Sequence, residues 1–114
     1  EEGITPFPDG YRLVEPWMVH VHVKDAARDP GTGEAIIAPV GEGSIDWEGQ
    51  LRELLTTGYA GFASLETHWR PKSLSEEVLN RPGGSSFSEA GEYASDLCMR
   101  NFLGILAAAR KATG

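Results

Sequence analysis

Two short stretches hold side chains whose types and spacing suit chemistry. In "VHVHVKDAARDP", residues 19–30, His20, His22 and Lys24 occupy every second position. In "AGFASLETH", residues 60–68, Ser64, Glu66 and His68 do the same. Alternate residues of a strand share a face, so each stretch gathers its polar groups on one side and Val19, Val21 and Val23, or Ala63 and Leu65, on the other. Imidazole nitrogen and carboxylate oxygen are donors suited to Mn²⁺, Zn²⁺, Co²⁺ or Mg²⁺. A catalytic metal takes three or more protein ligands and an open position, so His22 and Glu66 need further ligands to close a site. The plainer alternatives are a hydrogen-bonded structural histidine and a carboxylate held by an arginine or by backbone donors. A His-x-His pair is by itself a weak signal. Two inward polar faces at matching ends of successive strands bring the metal level with these alternatives, because ionisable groups buried without partners cost several kcal/mol.

The elements that must position these groups follow from periodicity. Residues 1–16 are rich in Pro and Gly and read as a lead-in loop with a brief helical turn. Residues 17–25, "WMVHVHVKD", alternate strictly and predict a strand. Residues 26–43, with Pro30, Gly31, Gly33, Pro39, Gly41 and Gly43, predict a long loop, a length that is usually functional in a compact domain. Asp46 is the expected N-cap of a helix on which Trp47, Leu51, Leu54 and Leu55 share one face, and Gly58 fits a left-handed stop. A second strand is expected over 62–67. Residues 69–87 predict a polar loop with a short helix at 73–80 and a Gly-Ser break at 83–86. From Ser88 and Glu89 a long helix begins, with Ala94, Leu97, Cys98, Phe102, Ile105, Leu106 and Ala109 as its apolar stripe.

Strand, helix, strand, helix is the order of an α/β fold with parallel pairing through a right-handed crossover. The domain divides into a lead-in (1–16), a first βα unit (17–61) and a second (62–114). Such sheets are covered on both faces, so two strands alone require neighbours from elsewhere. The polar groups lie towards the C-terminal strand ends, where parallel α/β folds keep their sites. Gly41 and Gly43 resemble a phosphate loop only weakly, and a turn orienting the following helix is the preferred reading. Lys24, Asp25 and His68 are expected at the mouth.

With 114 residues, 40% of them hydrophobic and 24% charged, the chain has the composition of one globular domain. Its net charge of −7, with basic residues scattered, argues against a broad nucleic-acid surface. No stretch has the length of a membrane span and no signal peptide opens the chain, so a cytoplasmic protein is expected. The single cysteine, Cys98, reads as a small buried hydrophobe. The start at Glu1, in the middle of loop-like composition, points to a fragment.

The His-x-His-x-Lys-Asp strand, the Gly-Glu-Gly-x-Ile-Asp-Trp helix start, the Gly-Tyr-x-Gly turn and the strand ending Leu-Glu together span residues 18–68. In order and spacing they resemble the C-terminal part of the sugar phosphate isomerase/epimerase family. These are xylose-isomerase-like TIM barrels, related to endonuclease IV. The resemblance implies that this chain is similar to the last two βα units of a (β/α)8 barrel, a partial barrel. It implies a divalent-metal ligand at His22, a metal ligand and acid/base group at Glu66, and a substrate-binding arginine at Arg28. Lys24 and His68 are further candidates for substrate contact. The implied activity is metal-dependent isomerisation or epimerisation of a small sugar or related polyol. Its rivals are an endonuclease IV-like phosphodiesterase and a non-catalytic barrel fragment that self-associates. The family's site also draws on ligands from earlier strands, so about half a metal site is expected here.

Overall fold

In the computed structural model, residues 3–71 and 85–114 are described. The lead-in forms a few turns, including the single helical turn α1 (Tyr11–Val14), whose Tyr11 reaches the core. The first strand, β1 (His20–Val23), pairs in parallel with β4 (Phe62–Leu65), placing His22 opposite Ser64 and Val23 opposite Leu65. The Glu66 amide donates to the Val23 carbonyl at 2.9 Å and carries the ladder one step beyond β4.

Between these strands the chain departs from expectation. Instead of a long loop, residues 25–38 fold into an antiparallel hairpin of β2 (Asp25–Arg28) and β3 (Ala35–Ala38). Asp29 builds its turn by accepting from the amides of Gly31 (2.8 Å) and Thr32 (2.9 Å), and Gly33 takes a positive φ of 74°. Glycines and a proline in a row mark a hairpin turn as readily as a loop. Because Asp25 turns inward to start the hairpin, the strand expected over 17–25 is confined to His20–Val23. Val19, expected beneath a helix with Val21 and Val23, lies before that strand and is 78% exposed.

The first long helix, α2 (Trp47–Thr57), is bounded as its sequence dictates. Asp46 accepts from the Gly49 amide at 2.9 Å, and Gly58, at φ 74°, closes the far end with its amide directed to the Leu54 and Leu55 carbonyls. The final helix, α3 (Ser85–Thr113), begins three residues before the expected Ser88. The short helix expected at 73–80 and Gly83 and Gly84 of the expected break lie outside the described residues. The last two helices pack on each other and on one face of the β1–β4 pair. Their shared core joins Val23, Val40, Trp47, Leu51, Leu54, Cys98, Phe102 and Ala109, with Trp47 and Phe102 edge to face at 6.3 Å. Cys98 is buried and free, as expected. Two helices on one face leave the other face of the strand pair open among the described residues.

The architecture is therefore mixed α/β with a parallel strand pair. No helix among the described residues is long and apolar enough to cross a membrane.

Candidate active site

The open face carries the polar residues of both strands in two adjoining groups. At the N-terminal end, His20 Nε2 lies 2.7 Å from Ser64 Oγ, and the His20 ring meets the His22 ring edge to face at 4.9 Å. His20 thus has a hydrogen-bond partner away from Glu66. At the C-terminal end, Glu66 is the centre. Its Oε2 lies 2.9 Å from His22 Nδ1 and 3.2 Å from Lys24 Nζ, and its Oε1 lies 2.7 Å from His68 Nε2. Parallel register explains the convergence. His22 stands opposite Ser64, so Lys24 and Glu66 follow one step further on the same face.

Donors on both oxygens hold the Glu66 carboxyl well below its ordinary 4.5, at about 2, with His68 contributing most, then His22, then Lys24. An ionised carboxylate only accepts, so Nδ1 of His22 and Nε2 of His68 are the donating nitrogens. A lowered folded-state value means that these bonds are fully present above the ordinary carboxylate range and are lost as pH falls through about 2. A ¹³C titration of the Glu66 carboxyl should therefore show a midpoint near 2, and His68→Ala should move it up towards 4.5. A midpoint already near 4.5 in the unmodified protein would show that the cluster does not form.

The residues present suit a divalent metal in donor chemistry but not in number. His22 Nδ1 and Glu66 Oε2, at 2.9 Å, stand as donor and acceptor of a hydrogen bond, which both would have to give up to ligate a metal. Among the described residues, no group of three or more His, Cys, Asp or Glu is placed to hold a metal ion.

Arg28 is not brought to this cluster. It ends β2, and its guanidinium donates to the Gly33 carbonyl at 2.9 Å, bracing the hairpin turn. The hairpin, unforeseen in the sequence, is what turns Arg28 there.

Asp25, expected at the mouth, is instead 1% exposed. Its Oδ1 accepts from the amides of Ala26 (2.8 Å) and Ile45 (3.3 Å), and its Oδ2 from those of Gly41 (2.9 Å) and Gly43 (3.2 Å). Gly41 and Gly43 therefore form a turn that leads into α2. A Cβ at Gly43 would collide with the Asp25 carboxylate and lie 2.5 Å from the Ala26 carbonyl oxygen. Trp47 Nε1 donates to the Lys24 carbonyl at 3.0 Å, fixing the backbone on which Lys24 reaches Glu66. The signal for Asp25 was its parity: it shares the buried side with Val21 and Val23.

A family model described as xylose isomerase-like TIM barrel matches residues 3–93 of the chain. No curated protein and no solved structure matches at the similarity required.

Proposed function

Because the chain belongs to the xylose isomerase-like TIM barrel family, we propose that it is a divalent-metal-dependent isomerase or epimerase of a small sugar or related polyol. The observation that carries this reading is the meeting of His22 and Glu66, 2.9 Å apart, at the C-terminal ends of adjacent parallel strands. Such strand ends are where parallel α/β folds hold their substrates.

In this reading His22 and Glu66, giving up their mutual hydrogen bond, would be two of the ligands of a metal that would polarise a substrate carbonyl. Glu66 takes the proton from the carbon next to the carbonyl. As it stands, three donors make it a weak base. When His68 and Lys24 turn to substrate oxygens, two of those donors leave and its basicity rises. Arg28 has a substrate role here only if the hairpin releases it from Gly33.

The remaining ligands are proposed to come from other βα units of a (β/α)8 barrel or from a second copy of the chain. Support comes from Trp17, Val19 and Phe62, each 78% exposed, beside strands that pair only with one another among the described residues. The proposed setting is cytoplasmic carbohydrate metabolism. Endonuclease-like chemistry, the other activity associated with this family, needs a basic DNA-facing surface, and the −7 charge opposes it.

The test is ketose interconversion by the metal-loaded protein and its His22→Ala variant. Loss of a ligand should lower the rate at least tenfold and weaken metal binding. Interconversion by the variant at the parent rate would remove His22 from the site.

A further inference from the structure

At the end of the strands away from Glu66, the lead-in, the last turn of α2 and the segments entering β1 and β4 enclose a second cleft of about 360 Å³. Glu15, Pro16, Met18, Leu54, Thr57 and Tyr59 are among the residues lining it. A cleft of that size, with apolar walls and a few convergent polar groups, suits a small ligand.

The polar groups offer acceptors and no donors. The Thr57 hydroxyl gives its hydrogen to the Glu53 carbonyl of α2 at 2.9 Å, and the Tyr59 hydroxyl gives its own to the Phe62 carbonyl at 2.9 Å. Each oxygen therefore keeps only lone pairs for a ligand. The Glu15 carboxylate also only accepts, and it is in no ion pair among the described residues. Tyr11 makes a separate observation. It is 7% exposed, and its hydroxyl is buried without a hydrogen-bond partner among the described residues, beside Thr57, Glu15, Glu53 and Tyr59. Burial raises its pKa, so it stays a neutral phenol. A buried hydroxyl left unpaired is costly, and a ligand's donor would recover that cost.

Acceptors without donors, two carboxylates close by and a net charge of −7 select a cation rich in N–H groups. Pro16, Met18 and Leu54 select a hydrocarbon body. We propose that this cleft is a second binding site, for a small primary ammonium on a hydrocarbon body, whose N–H groups donate to Glu15, Thr57 and Tyr59. Because the cleft lies at the opposite end of the strands from Glu66, the proposal is independent of the isomerase reading.

The test is a ¹H–¹⁵N NMR titration of the full chain with phenethylammonium chloride. Phenylethanol and hydrocinnamate serve as probes of similar body and different charge, and potassium chloride as charge without a body. The ammonium should shift the amides of Glu15, Met18, Thr57 and Tyr59 and leave those of Glu66 and His68 in place. It should bind at least about threefold more tightly than the alcohol, and Glu15→Gln should weaken it about three- to tenfold. High salt should weaken it too, by screening. Alcohol or carboxylate binding as tightly as the ammonium, the same shifts from potassium chloride alone, or no shifts at millimolar ammonium each overturns the site. Unchanged affinity in a folded Glu15→Gln protein does the same. The probe comparison uses the parent chain, so it decides the matter even where Glu15→Gln fails to fold.

Discussion

Glu66→Gln is expected to lower ketose interconversion by about 10²–10⁴-fold, the range in which a positioned acid/base group contributes. The exchange is close to isosteric, so the fold should survive it. Chemically it removes both roles of the side chain at once. A neutral amide cannot take the substrate proton, and its NH2 would face donors from His22 and Lys24, or from His68, where an acceptor is required. A rate within tenfold of the parent, in protein with an unchanged circular dichroism spectrum, would remove Glu66 from the proposed chemistry.

Asp25→Ala is expected to cost about 3–5 kcal/mol, a large share of the ~5–15 kcal/mol that holds a domain together. The variant strands the amides of Gly41, Gly43 and Ile45, which all converge on the buried carboxylate. Those amides shape the turn before α2, and Trp47, the first residue of that helix, carries the bond to the Lys24 carbonyl. The damage therefore reaches the site without touching a site residue. Asp25→Asn should fall between parent and alanine, because one of its two terminal atoms still accepts while the other is now a donor. Urea unfolding measures both. A loss below about 1 kcal/mol for alanine would mean that water or other groups already satisfy those amides.

The parts of the fold legible in the sequence are those written in local periodicity. Alternation from His20 to Val23 identifies β1, Asp46 and Gly58 bound α2, and the stripe from Ala94 to Ala109 marks the buried side of α3. The hairpin was not legible. Its strands are four residues each, "DAAR" and "AIIA", too short to show a period, and the glycines and proline between them suit a loop equally well.

For the site, parity and parallel pairing together were enough to bring His22, Lys24, Glu66 and His68 to one end of one face. Arg28, assigned a substrate role by resemblance alone, is directed to the Gly33 carbonyl by a hairpin that local pattern did not reveal. Asp25 shows the converse. It was expected at the mouth, whereas its place two residues after Val23 put it on the buried side, and four backbone amides make that burial tenable.

The most direct test of the proposed function is solvent exchange at the carbon next to the carbonyl. A panel of ketoses is incubated in D2O with the Mn²⁺-loaded protein and followed by NMR. Deuterium entering that one carbon of a ketose, and absent with Glu66→Gln, is the expected result. No deuterium entering any ketose, from protein shown to hold Mn²⁺, would contradict proton abstraction by this site.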